Sequence, residues 1–278
     1  MINNTTYDYI VFGTTIPGII FAVKKSLAGY SVLLTNMFGF PGGSITEQLN
    51  CYQNVDETQL QGLAQEIYRS IAPENFERTI VNPESVKFVL QQTVENSSVH
   101  LYFHVTPKKI VMNGDGIFEV SLLAKEGNTA VTGKKIVDAS EDFYGAVLLN
   151  RKRIIQERCV NLFISRPLND KFLPFGKIAK TVKLSDGRYW ISLRLNSQDE
   201  LFAENETHDL LNTFREILED SHSRIQVLPL GAQTIYGLER GDNFKNTFST
   251  IDDILGSSMK PSDQFQRGSV LESALNKF

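Results

Sequence analysis

Residues 7–36 read YDYIVFGTTIPGIIFAVKKSLAGYSVLLTN, and their pattern decides the fold class. Tyr7 to Phe12 are aromatic and β-branched, which suits a buried strand, and Gly13 follows at once. From Ile16 to Ala28 the apolar residues Ile19, Ile20, Ala22, Val23 and Leu27 recur at helical spacing. Pro17 falls in the first turn, where a missing N–H costs little, and Gly29 stands where a helix commonly stops. Ser31 to Thr35 is a second buried strand. Strand, glycine turn, helix and strand within about 30 residues predict a right-handed parallel βαβ unit.

The turn Gly13-Thr14-Thr15-Ile16-Pro17-Gly18 occupies the place of a G-x-G-x-x-G fingerprint between strand and helix. In that motif the first glycine permits the tight turn, the second lets a pyrophosphate approach the backbone, and the third allows helix and strand to pack closely. Gly13 and Gly18 are present, but the middle position is Thr15, whose side chain stands where a phosphate would lie. The helix N-terminus still offers N–H groups and the positive end of a dipole. The position about 20 residues on, acidic in the fingerprint so that it can bind ribose hydroxyls, is Asn36. An asparagine still hydrogen-bonds a hydroxyl but brings no charge. These two departures keep open a scaffold that has lost its ligand.

Further along, Gly39, Pro41, Gly42 and Gly43 form a glycine-rich loop. Leu60, Leu63, Ala64, Ile67 and Ile71 mark an amphipathic helix, and Val86, Val89, Leu90 and Val94 mark another beginning near Pro83. Val99 to Val105 alternates as a strand. Runs at Lys109–Met112, Ile117–Ala124 and Ala130–Ala139, separated by Asn113-Gly114-Asp115-Gly116 and Glu126-Gly127-Asn128, predict a β-meander. The expected organisation is a Rossmann-like domain over residues 1–150 with the meander as an insertion. A smaller mixed α+β domain over 151–259 carries one helix (Leu210, Leu211, Phe214, Ile217, Leu218), and a loosely packed polar tail covers 260–278. The fold class is α/β.

Composition narrows the function classes. Lys and Arg number 28 against 32 Asp and Glu, and no basic cluster beyond Arg151, Lys152 and Arg153 suggests a nucleic-acid footprint; that triplet reads as a solvated turn or strand edge. Two isolated cysteines, Cys51 and Cys159, exclude a disulfide framework and fit a reducing compartment. The apolar run from Ile16 stops at Lys24-Lys25, short of the roughly 20 residues that span a bilayer, and the opening lacks the basic segment of a signal peptide. A cytoplasmic protein is expected.

With these features in hand, the chain resembles the FAD-dependent oxidoreductases of the two-dinucleotide-binding-domain flavoproteins. The opening segment and MFGFPGGSITEQLN carry the likeness, with Gly42, Gly43 and Thr46 matching a Gly-Gly-x-x-Thr loop. NPESVKFVLQQTVENSSVHLYFHVTPKKIV and KKIVDASEDFYGA extend it, placing Asp138, Ala139 and Ser140 in register with a strand ending in Asp-Ala-Thr-Gly-Asp. The resemblance is good over about the first 150 residues and faint beyond. It implies FAD as cofactor, with Gly13, Thr14, Thr15, Gly18 and Asn36 at the adenosine and pyrophosphate and Gly42, Gly43 and Thr46 running toward the flavin. Glu141 departs from the family's glycine and puts a carboxylate where an anionic cofactor would run. The family's Gly-Asp element facing the ribityl chain has Gly241-Asp242 as a weak counterpart.

Other candidates carry less. His100 and His104 share a strand face but stand about 13 Å apart, too far to hold one metal together, and no metal site is expected. Cys51 reads as a buried structural thiol and Trp190 as core. No residue qualifies as a catalytic acid or base. The leading function is flavin-mediated hydride transfer on an unknown small molecule, with the flavin doing the chemistry and the protein positioning it. The alternative is a non-catalytic homologue acting as a binding or scaffold subunit, beside a protein partner or as a homo-oligomer. A nicotinamide-only dehydrogenase is disfavoured by the meander and the Gly-Gly-x-x-Thr loop.

Overall fold

The computed structural model describes residues 6–71, 78–165, 176–196, 227–239, 247–256 and 263–275, together with the single positions 205, 209 and 212. Strand β1 (Thr6–Phe12) and β2 (Val32–Thr35) lie side by side in parallel, joined through α1 (Ile16–Leu27), as the opening sequence predicts. Gly13 makes the connection possible. Its φ is +91°, and a Cβ there would come within 2.7 Å of the Ser140 backbone nitrogen, so only glycine fits this turn. Thr15 caps α1, its hydroxyl accepting the Gly18 N–H at 3.2 Å.

A seven-stranded sheet runs in the order β3-β2-β1-β6-β5-β4, with β11 added beside β6. Here β3 is His100–Tyr102, β4 Thr106–Met112, β5 Phe118–Ala124, β6 Gly127–Asp138 and β11 Phe248–Thr250. The meander is the antiparallel set β4-β5-β6. The long strand β6 serves two purposes: its first half pairs with β5, and its last residues pair in parallel with β1 and β11. The strand expected over Val99–Val105 is shorter than its alternation suggested. It ends at Tyr102, because His104 turns into the left-handed region at φ +56° and breaks the ladder.

Alternating residues of β1 serve opposite faces. Val11 packs under α1, α3 (Gly62–Ile71) and α4 (Pro83–Glu95); Ile10 and Phe12 pack against the meander and α5 (Tyr144–Leu148). Each fully buried Ile, Leu or Phe contributes roughly 1.5–3 kcal/mol.

The second layer is a four-stranded antiparallel sheet in the order β10-β7-β9-β8. Its strands are β7 (Arg153–Ile164), β8 (Gly176–Lys183), β9 (Tyr189–Leu195) and β10 (Val227–Leu238). Trp190 is core as expected, and its indole N–H donates to Leu49 O at 2.9 Å, tying this sheet to the glycine-rich loop region. The five positions expected to form a helix near 210–218, and the Gly241-Asp242 pair, lie outside the described residues.

Two expectations are corrected. The second unit does not run to residue 259, because β11 and α6 (Ile251–Leu255) return to the first sheet. Nor is residue 264 onward a loose tail. Helix α7 (Gln264–Leu275) buries Phe265 and Leu271 in the same core as α1 and α3. Its apolar stripe is thin because small residues make the contact: a Cβ at Gly268 would sit 2.5 Å from Ile20 Cδ1. Glu272 accepts the Leu63 N–H at 2.8 Å and pairs with Lys24. In the basic triplet Lys152 is exposed and Arg153 opens β7, as expected, while Arg151 pairs with Asp253 at 2.7 Å with its side chain only 9% exposed.

Candidate functional site

Strands β1, β6 and β11 end together, and the turns that follow them converge. The turn after β1 brings Thr14 and Thr15, the turn after β6 brings Ser140 and Glu141, and α6 brings Asp252 and Asp253. The glycine-rich loop and short helix α2 (Ser44–Glu47) close over this point. Beside it a cavity of about 760 Å³ opens between the two layers. From the first layer Thr15, Asp138, Glu141, Gln264 and Arg267 line it; from the second come Gln156, Lys180, Trp190 and Tyr236. Its size suits a drug-sized organic ligand, and its mixture of aromatic walls with a few polar groups is that of a small-molecule site.

The structure brings the expected cofactor residues to one place and spends most of their polar groups on one another, leaving the Thr14 hydroxyl buried without a partner among the described residues. The Thr15 hydroxyl donates to Ala139 O at 3.0 Å. Thr14 O accepts the Gly42 N–H at 2.9 Å, so the turn and the loop are joined directly. The Thr46 hydroxyl donates to Pro41 O at 2.8 Å, and a Cβ at Gly42 would strike that threonine side chain. Gly18 fulfils its packing role: a Cβ there would lie 2.8 Å from Ala139 Cβ. Asn36 is turned inward and donates to Phe40 O at 2.9 Å and to the Glu47 carboxylate at 3.3 Å.

Four acidic groups crowd this end of the sheet. Asp138 accepts the Ser140 and Ala146 N–H groups at 3.0 and 2.8 Å. Burial nonetheless lifts its carboxyl to about 6, with those hydrogen bonds working against the shift. Glu47 is pushed to about 8, chiefly by burial, with the charges of Glu141 and Asp142 adding to it and the Asn36 hydrogen bond opposing it. Glu141 is also raised by burial, although Ser44, Arg267 and Gln264 all favour its charged form. Asp142 completes the group. Sequence reasoning noticed Glu141 but missed Glu47, whose burial no local pattern signals.

A family model for the FAD dependent oxidoreductases matches residues 8–148, which hold the βαβ unit, the glycine loop and the meander. The chain belongs to the FAD dependent oxidoreductase family. No curated protein sequence matches this family member. Its fold is shared with solved flavoproteins of low identity. An aromatic hydroxylase from angucycline biosynthesis superposes with a TM-score of 0.65 at 12% identity, over 98% of this chain and 61% of that one. The p-nitrophenol 4-monooxygenase of Pseudomonas putida gives 0.63 at 12% identity, over 99% and 80% of the two chains. A myxobacterial FAD-dependent chondrochloren halogenase gives 0.64 at 17%, over 97% and 73%. The family member thus spans about three fifths of the length of the first of these.

The donor chemistry tests whether FAD fits. A diphosphate needs free donors and room between the turn after β1 and the loop at Gly42–Gly43. Here Gly43 is in contact with both Thr15 and Glu141, since a Cβ on it would lie 2.8 Å from Thr15 Cγ2 and 2.7 Å from Glu141 Oε2. Pro17 has no N–H, and the Gly18 N–H is already held by Thr15. In this arrangement Thr15 and Glu141 take the room a diphosphate would need, although the neighbouring Thr14 hydroxyl is unpartnered and the cavity beside them is open.

The remaining candidates behave structurally. Cys51 and Cys159 are buried and outside any disulfide; burial first, then Glu157, pushes the Cys159 thiol up to about 12, which disfavours its reactive thiolate. His100 Nδ1 hydrogen-bonds the Tyr7 hydroxyl at 3.0 Å. Among the described residues no group of His, Cys, Asp or Glu could hold a metal, and no helix is long and apolar enough to cross a membrane.

Proposed function

We propose that this chain is an oxidoreductase of its family that acts on a small, planar organic molecule held in the cavity between its two layers. The cavity carries the reading: it adjoins the point where β1, β6 and β11 end, which is where ligands of open α/β sheets bind. Trp190 and Tyr236 supply flat apolar surface, and Gln264 and Arg267 supply polar contacts. An aromatic hydroxylase and a nitrophenol monooxygenase among the solved structures of this fold are consistent with an aromatic ligand. Cytoplasmic location and a homo-oligomeric or partnered state are part of the same proposal.

A second reading is a ligand-holding homologue without redox activity. The self-satisfied contacts of Thr15, Asn36 and Thr46 favour it. Titration of the purified protein with excess FAD separates the two, read by thermal shift and by the flavin band at about 450 nm. Saturable uptake supports the oxidoreductase; a protein that takes up no FAD at any concentration supports the second reading.

A further inference from the structure

The two walls expected to flank a diphosphate meet over a single side chain. Glu141 lies between the turn after β1 and the loop of Gly42 and Gly43, and it is held from three directions. Its carboxylate accepts the backbone N–H of Ser44, the Ser44 hydroxyl at 2.7 Å, and the side-chain amide of Gln264 at 2.7 Å. Arg267, one turn further along α7, adds electrostatic attraction. A backbone N–H, a hydroxyl, an amide N–H and a nearby guanidinium form a donor set suited to a phosphate. Here the first three hold the Glu141 carboxylate, an anion that the chain carries itself, while the guanidinium is ion-paired with Asp252 and acts on Glu141 only through space.

We propose that the Glu141 carboxylate is an internal stand-in for a cofactor phosphate, so that the cradle admits FAD, or another nucleotide diphosphate, only when this side chain is displaced or removed. The proposal rests on the flavin reading above and explains why a family member has a closed cradle beside an open cavity. Carboxylate and phosphate cannot share the seat, because their bulk overlaps and their like charges repel in a poorly hydrated cleft. Displacement is feasible because the seated carboxylate is not at ease. Its three hydrogen bonds do not fully offset its burial, and it lines the open cavity, which gives the side chain space to leave its seat.

The test compares the full chain with Glu141→Gly and Glu141→Gln by titration with FAD and with ADP. Flavin fluorescence and calorimetry read the binding; circular dichroism and thermal melting confirm that each protein is folded. Glu141→Gly is expected to bind FAD at least about tenfold more tightly than the wild type, with ADP following the same order. Glu141→Gln keeps the bulk but drops the charge, and a smaller gain is expected. Equal FAD affinity for wild type and Glu141→Gly overturns the stand-in role and leaves the flavin reading in place. Absence of FAD binding in every folded variant overturns the flavin reading, and the stand-in role with it. Should Glu141→Gly fail to fold, Glu141→Gln decides: affinity no greater than that of the wild type overturns the proposal.

Discussion

Replacing Glu47 by Gln should make the protein more stable above neutral pH, and the size of the gain follows from where Glu47 sits. Its carboxyl lies on α2 against Asn36, with Glu141 and Asp142 near enough to repel it, and its pKa rises from 4.5 to about 8. Because the folded value lies above the unfolded one, the folded state holds the proton more tightly. The contribution of Glu47 to stability is therefore greatest below about pH 4.5 and is lost as the pH climbs through about 8. At about 1.4 kcal/mol per pKa unit, the shift sets a ceiling of about 5 kcal/mol. Partial solvent contact screens the charge, and about 2 kcal/mol is the expected loss in the wild type by about pH 9. Glutamine keeps the acceptor for the Asn36 amide and carries no charge, so the variant should lack this slope. Thermal melts at about pH 5, 7 and 9 read the effect, with an expected advantage for Glu47→Gln of about 4–8 °C at the highest pH and little difference at the lowest. A variant that keeps the wild-type slope, or that melts lower at about pH 9, would refute the account of Glu47 as a half-buried carboxylate repelled by its acidic neighbours.

Two further outcomes follow from the same geometry. Thr15→Gly removes the cap of α1 and the hydroxyl donor to Ala139 O, and should cost about 1 kcal/mol in denaturant melts. On its own it should leave FAD affinity little changed, because Glu141 still fills the seat; combined with Glu141→Gly it should tighten binding beyond the single variant. Gly231→Ala places a Cβ 2.3 Å from the Gln48 carbonyl carbon, at the seam between β10 and the segment after α2. It should destabilise the protein by about 3 kcal/mol or more, with proteolysis increasing at the seam. A variant with an unchanged melt would mean that the two layers do not touch there.

How far the sequence reaches can be judged element by element. Residues 7–36 determine the βαβ unit by themselves, because a run of β-branched residues, a glycine, a helical stripe and another apolar run leave few other ways to bury those faces. The meander was equally legible, since its turn residues and alternation act locally: Asn113 accepts the N–H groups of Asp115 and Ile117 within its own turn. Helix α7 was not legible. Its contact face uses Gly268 and Ser269, which look polar or neutral until Ile20 and Gln61 are placed against them. The extent of β6 and the return of β11 were hidden for a related reason, since strand pairing is a long-range matter that the local pattern does not encode.

The site divides along the same line. The sequence read Gly13 as the tight turn and Gly18 as the close helix–strand contact, and both stand so, because glycine is required where backbones or turns crowd; Gly42 and Gly43, read as a glycine-rich loop toward a flavin, are also close approaches in the structure. It also flagged Thr15, Asn36 and Glu141 as the residues out of keeping with a dinucleotide cradle. Whether those residues merely weaken the cradle or fill it depends on where their polar atoms point, which only the tertiary structure decides. Hydrogen-bond partners come from segments far apart in the chain: Ser44 and Gln264 converge on Glu141 from opposite ends, and Ala139 meets Thr15 across the sheet. Local chemistry fixed which groups could bind an anion, and the packing of distant elements fixed which anion they hold.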